Sequence, residues 1–113
     1  MSRAINLVGF VAIAAFAGTA LAQDAKVERG KAVYTEQKCK MCHSIGGEGN
    51  AKGPLDDVGA KLTADQIHEW IVDPAGATAK AKATRKPPMP AKYKSLPKDD
   101  VDALVAYLSS LKK

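Results

Sequence analysis

The chain has 113 residues, with 17 lysines and arginines against 12 aspartates and glutamates, a formal net charge of +5. A chain of this length holds one small domain, and so modest a positive charge suits docking onto acidic proteins better than binding nucleic acid. The only cysteines, Cys39 and Cys42, stand so close together that a disulfide between them would close almost no loop and add little stability.

Residues 1–22 have the pattern of a cleaved secretory signal peptide. Arg3 is the only charged residue there, a long apolar stretch follows it, and Ala20-Leu21-Ala22 is the small-x-small pattern that signal peptidase recognises. The alternative is an uncleaved anchor, because the apolar stretch approaches the roughly 20 residues needed to span a bilayer. Polar and glycine residues weaken it, and no basic stop-transfer cluster follows. We therefore predict cleavage after Ala22 and an exported protein without stable membrane insertion or nucleic-acid contacts.

Cleavage would leave one domain, residues 23–113, with few large side chains for a core. Both phenylalanines lie in residues 1–22, so the remaining aromatic residues are Tyr34, Trp70, Tyr93 and Tyr107. Domains this small have little apolar area to bury, and they often need additional stabilisation, such as a disulfide or a bound group. Since a disulfide cannot serve, we expect a large bound cofactor at the centre.

The first helix of this domain is predicted over residues 25–37, after Asp24 as its cap, and it leads into Cys39-Lys40-Met41-Cys42-His43. This is the C-x-x-C-H signature of covalent c-type haem attachment. Two thiols at this spacing can both form thioethers with the haem vinyl groups, and His43 can then bind the iron. The sequence predicts one covalently attached haem c, with Cys39 and Cys42 as its tethers.

Three other interpretations of the motif are a local disulfide, a thioredoxin-like site and half a zinc site. A thioredoxin-like site needs a βαβ pattern, and the domain shows no strand-like alternation. A zinc site needs two further ligands, and outside the motif the only candidates are His68 and carboxylates. Haem attachment is the interpretation that the motif favours.

A short helix is predicted over residues 63–73, opened by a capping-box pattern and ended by Pro74. Its apolar residues repeat at helical spacing: Ile67, Trp70 and Ile71. His68 falls about 100° round the helix from Ile67. We therefore expect His68 at the surface, although it stays a rival iron ligand.

Met89 is the predicted second axial ligand. It lies in Lys86-Pro87-Pro88-Met89-Pro90, where three prolines hold the backbone near polyproline geometry. A stiff segment can hold a thioether at the iron with little ordering cost, and methionine with histidine is a standard haem pairing. The alternative is that Met89 only fills the core.

Pro97 is predicted to open the last helix, with acidic residues in its first turn and lysines at its end. Its apolar stripe consists of Val101, Leu104, Val105, Leu108 and Leu111. Gly30 in the first helix would allow a close crossing with this last helix.

Residues 23–113 resemble the class I cytochromes c, particularly small bacterial members with one haem. The matching pieces are Gly30 and Tyr34, the haem motif, Gly53-Pro54-Leu55, Trp70-Ile71-Val72-Asp73-Pro74, Pro88-Met89-Pro90, and Leu104-Val105-Ala106-Tyr107-Leu108. The resemblance implies an all-α class I cytochrome c fold, with three main helices and loops wrapped around one covalently bound haem.

The resemblance also implies roles for single residues. Met89 matches the distal iron ligand, and Trp70 matches an aromatic residue beside the haem near that methionine. Pro54 matches the residue whose carbonyl accepts the N–H of the proximal imidazole, which would set the tautomer and basicity of His43. The link from Pro74 to Met89 is longer than in mitochondrial-type relatives, so its conformation stays open.

A six-coordinate iron has no vacant position for a substrate, so the resemblance and the ligands imply a one-electron carrier and no enzyme. One alternative is a five-coordinate haem enzyme or gas sensor, which a weak Met89 would permit. Another is the electron-transfer subunit of a larger redox enzyme. The expected pocket walls are Ile45, Leu55, Val58, Leu62, Ile67, Trp70, Ile71 and Leu96.

We expect a monomer whose partners are redox proteins: an oxidase, a reductase or a dehydrogenase. Seven basic residues lie from Lys80 to Lys98, counting both, and residues 74–98 contain no acidic residue. They form either a solvated loop or a positive rim that steers the haem edge onto acidic partners.

Overall fold

The computed structural model describes residues 8–113, with side chains from residue 21 onward. The fold is helical, as predicted, with one very short hairpin between the first two helices. The helices are α1 (Val8–Glu36), α2 (Val58–Lys61), α3 (Ala64–Val72), α4 (Pro74–Ala81) and α5 (Lys98–Ser109). The antiparallel strands are β1 (Ser44–Ile45) and β2 (Glu48–Gly49), and two 3₁₀ turns cover Cys39–Met41 and Ala91–Ser95.

Helix α1 already includes Val8, the first described residue, so it covers the predicted start at residue 25 and the predicted cap Asp24 lies inside it. The reason is local: residues 20–26 are rich in alanine and contain no proline or glycine, so nothing stops the helix there. Residues 1–7 of the predicted signal peptide lie outside the described residues, and cleavage after Ala22 stays a prediction. Between Val8 and the C-terminus, no helix is long and apolar enough to cross a membrane.

Helices α1 and α5 cross at Gly30, as predicted. A Cβ atom at Gly30 would collide with the carbonyl oxygen of Ala103 and would lie 2.6 Å from the Cβ of Tyr107. Next to this crossing, the rings of Tyr34 and Tyr107 meet edge to face, with centroids 6.0 Å apart at 67°. The missing side chain is therefore what lets the two backbones come into contact.

Helix α3 matches its prediction at both ends. The side chain of Thr63 accepts from the Gln66 amide at 3.2 Å, and the Gln66 side chain accepts from the Thr63 amide at 2.9 Å, which completes the capping box. His68 is exposed. The neighbouring face of the helix is buried at Ile67 and Ile71.

The segment from Pro74 to Met89, left open by the sequence, begins with α4. The carboxylate of Asp73 caps this helix by accepting from the Gly76 amide at 3.2 Å. Lys80 then pairs with Glu69 of α3 at 2.8 Å. The proline-rich segment that carries Met89 follows α4, and α5 begins directly after Pro97 with Val101, Leu104 and Leu108 buried.

Candidate functional site

A cavity of about 190 Å³ lies among α1, α3, α5 and the segment that carries Met89. Its lining is almost wholly apolar and comes from segments that are far apart in the sequence. The lining residues are Tyr34, Cys39, His43, Leu55, Val58, Leu62, Ile67, Trp70, Ile71, Met89, Leu104 and Leu108. Four of the predicted site residues are thus brought together in one space: Cys39, His43, Trp70 and Met89.

Six of the eight predicted wall residues line this cavity, whereas Ile45 and Leu96 pack against the core outside it. The sequence missed Tyr34, Leu104 and Leu108 as lining residues. The predicted apolar stripe of the last helix marked Leu104 and Leu108 as buried, whereas Tyr34 was named only among the residues that carry the resemblance. The apolar stripe therefore also carried information about the site.

The haem motif is presented by a sharp reversal after α1. Lys38 adopts a left-handed conformation (φ 56°, ψ 39°), and the 3₁₀ turn over Cys39–Met41 follows it. The amides of Cys42 and His43 both donate to the carbonyl of Cys39, at 3.1 and 3.0 Å. This turn presents Cys39 and His43 to the cavity, while Cys42 is half-buried beside it and does not line it.

The state of the thiols separates the interpretations of the motif. Both cysteines are free, and burial raises the pKa of the Cys39 thiol to about 11. Thioredoxin-like catalysis uses a cysteine whose pKa is lowered, so that a thiolate is present at neutral pH. Cys39 has the opposite shift, which disfavours that chemistry. The part of the chain described here also contains no cluster of three or more metal-binding His, Cys, Asp or Glu side chains.

His43 is held as a neutral imidazole with one nitrogen available. Its Nδ1 lies 3.1 Å from the carbonyl oxygen of Gly53. Because a carbonyl can only accept, Nδ1 carries the proton and Nε2 keeps a free lone pair. Burial lowers the pKa of His43, so the ring is uncharged at neutral pH, the form that binds metal ions.

The acceptor for His43 differs from the sequence prediction. The resemblance indicated the carbonyl of Pro54, but the structure places the carbonyl of Gly53 there, one residue earlier. The cause is the bridge between Ser44 and Pro54, in which the Ser44 amide donates to Gly53 at 3.0 Å and its carbonyl accepts from Leu55 at 2.8 Å. This pairing turns the Gly53 carbonyl towards residues 43 and 44, and Pro54 is exposed.

Met89 and Trp70 are the remaining predicted site residues that line the cavity. Met89 is half-buried and lines the same cavity as the His43 imidazole. Trp70 is also half-buried and stands between this cavity and a second one of about 350 Å³, which Pro54 helps to line. The rival ligand His68 lies on the exposed side of α3, away from both cavities.

The lining fits a haem on chemical grounds. It combines apolar walls, one imidazole with a free nitrogen, one thioether and one tethering thiol. It also includes the buried hydroxyl of Tyr34, which has no hydrogen-bond partner among the described residues. Burial raises the pKa of Tyr34 to about 12, so this hydroxyl keeps its proton. An unpaired buried hydroxyl costs about 1–3 kcal/mol, which suits a cavity that holds a further group.

Comparisons with known proteins identify the family to which the chain belongs. The family model described as Cytochrome c matches residues 27–112. The chain is 32% identical over 93 residues to cytochrome c oxidase subunit 2 of Alkalihalophilus pseudofirmus, a match that covers 74% of this chain and 25% of that protein. The chain therefore spans about a quarter of the length of this curated relative. No solved structure matches.

Proposed function

Because the chain belongs to the cytochrome c family, whose members transfer electrons through a covalently attached haem c, we propose that it is a one-electron carrier and not an enzyme. The observation that carries this proposal is the pairing of a neutral His43 imidazole with the Met89 thioether around one apolar cavity. The bound haem supplies an iron that alternates between the ferrous and ferric states.

Each residue of the site has a separate role in this proposal. Cys39 and Cys42 would hold the haem through thioethers, and the Gly53 carbonyl orients the His43 ring so that its free Nε2 would bind the iron. Met89 would supply its thioether sulfur as the second iron ligand, and an iron held by both residues would have no vacant position for a substrate. The apolar walls exclude water and disfavour the extra charge of ferric iron, and Trp70 packs beside the ring.

Replacing Met89 with alanine tests the carrier against the five-coordinate alternative. We expect the reduced wild-type protein to bind carbon monoxide poorly and the Met89→Ala variant to bind it readily, since the substitution opens an axial position. The variant should also lose the weak long-wavelength band of sulfur ligation in its ferric spectrum, and its potential should fall, because a thioether favours ferrous iron.

Met89→Ala has a matched control in Met41→Ala. Met41 lies between the two cysteines and is 70% exposed, so its removal should leave the spectrum and the carbon monoxide response unchanged. Wild-type protein that binds carbon monoxide as readily as Met89→Ala would contradict six-coordination and favour a haem enzyme or gas sensor.

We place the protein in the periplasm, after cleavage behind Ala22. The family is typical of extracytoplasmic compartments, and residues 20–22 carry the cleavage pattern. The mass of the exported protein measures this directly: cleavage gives a chain that begins at Gln23. A full-length chain in the membrane fraction would show that the segment is kept as an anchor.

We propose that the partners are redox proteins with acidic surfaces, which contact the basic residues between Lys80 and Lys98. The lysines and the arginine of this segment are exposed, and opposite charges raise association rates most at low salt. Electron-transfer rates to an oxidase or reductase should therefore fall steeply with ionic strength, and a flat response would contradict this docking.

The distant match to an oxidase subunit gives only weak support to the alternative of a fixed subunit. A stoichiometric partner that co-purifies with the chain would favour a subunit. A monomer in size-exclusion chromatography would favour a free carrier.

A further inference from the structure

Arg85 belongs to the basic segment before Met89, yet its guanidinium lies beside the segment that follows the haem motif. A Cβ atom at Gly53 would collide with Nη1 of Arg85 and with the carbonyl oxygen of Cys42, and would lie 3.1 Å from Cζ of Arg85. The guanidinium thus occupies the space that any side chain at position 53 would need. Arg85 therefore joins the methionine segment to the segment that orients His43.

The charge of Arg85 has no carboxylate opposite it in the described part of the chain. None of the four ion pairs found there includes Arg85; they use Arg29, Lys80 and Lys98 as cations. A guanidinium stays protonated at any ordinary pH. A fixed positive charge therefore stands at Gly53.

Gly53 is the residue through which this charge reaches the haem ligand. Its carbonyl accepts from Nδ1 of His43 at 3.1 Å and from the Ser44 amide at 3.0 Å. A cation beside Gly53 disfavours additional positive charge on the imidazole that Gly53 accepts from, and on whatever the imidazole binds.

We propose that Arg85 is a positioning residue that raises the reduction potential of the haem from the His43 side. Reduction converts ferric to ferrous iron with one electron from the redox partner, so the site loses one positive charge. A neighbouring cation favours that loss, and therefore favours the ferrous state. The inference rests on the proposed function, since it requires a haem bound to His43.

The test compares two single variants, each of which removes one positive charge from a different residue of the same segment. In Arg85→Gln the charge at Gly53 is removed, whereas Lys94→Gln removes an equal charge from another exposed residue. Arg85→Lys keeps the charge without the planar guanidinium. Spectroelectrochemical titration of the haem-loaded proteins, at low and at high ionic strength, gives the midpoint potential of each.

We expect Arg85→Gln to lower the ferrous-to-ferric ratio at a fixed poise by about two- to fivefold, because the exposed guanidinium is partly screened by water. Lys94→Gln should change the ratio less, Arg85→Lys should restore most of it, and high salt should shrink the difference. The Nδ1–H signal of His43 in the reduced protein should shift in Arg85→Gln and stay in place in Lys94→Gln.

Equal potentials for Arg85→Gln and Lys94→Gln, in protein that still cycles reversibly, would overturn this inference and leave the proposed function standing. A wild-type protein with no covalent haem and no reversible couple would overturn both. The two failures are therefore distinguishable in one set of titrations.

Discussion

Replacing Cys39 and Cys42 together with serine should give a protein that loses its haem to acidified acetone and does not stay compact. The substitution removes both thioether bonds, so only the two axial ligands would hold the haem. The cavity of about 190 Å³ would then be filled reversibly or not at all. Without the haem, the apolar side chains that line this cavity would lose their packing partner, and single large-to-small changes in a core already cost about 2–5 kcal/mol. The whole stability of a small domain is only about 5–15 kcal/mol.

Two measurements check this expectation. A pyridine haemochrome spectrum of the denatured, washed protein detects haem that stays attached to the chain, and size-exclusion chromatography follows compactness. The matched control is Lys40→Ser, which introduces the same residue inside the motif but keeps both thiols and His43. It should retain covalent haem and the elution volume of the wild-type protein.

The single variant Cys42→Ser separates the two tethers. Cys39 lines the cavity and Cys42 does not, so one thioether through Cys39 should still keep the haem on the washed chain. A compact, coloured and redox-active double variant would contradict the account of this domain as one built around a tethered haem.

The parts of the fold that the sequence predicted correctly depend on short-range chemistry. The capping box at Thr63 and the proline at position 97 each act over a single turn, and α3 and α5 begin where those residues place them. The predicted start of the first helix, at residue 25, was wrong because a cleavage pattern and a helix can occupy the same alanine-rich residues. Secretory patterning therefore says nothing about where a helix begins.

The parts that the sequence could not supply depend on tertiary pairing. Whether Gly53 or Pro54 accepts from His43 is decided by the register of one bridge to Ser44, and the motif leaves that register open. The contact of Arg85 with Gly53 joins residues 32 positions apart through a long segment without a local signal. Sequence spacing thus predicted the ligands. The packed structure was needed to find the carbonyl that orients His43 and the positive charge that lies beside it.

Replacing Gly30 with alanine should destabilise the haem-loaded domain by about 1–3 kcal/mol or more, despite the better helix propensity of alanine. In an open helix the same change would stabilise by up to about 1 kcal/mol, so the sign of the effect decides whether the crossing is tight. Here the new methyl group would meet the backbone carbonyl of Ala103. Backbone cannot rotate aside as a side chain can, so α1 and α5 would have to separate.

Urea unfolding of the haem-loaded proteins measures this effect, with Lys31→Ala as the matched control on the exposed side of α1. Lys31→Ala alters the same helix without entering the crossing, so its stability should stay within about 0.5 kcal/mol of the wild type. Separation of the helices would also disturb the ring contact between Tyr34 and Tyr107, and Tyr34 lines the haem cavity. Gly30→Ala should therefore shift the haem absorption as well as the unfolding midpoint. A Gly30→Ala protein as stable as the wild type would mean that the terminal helices tolerate a wider crossing than the one observed.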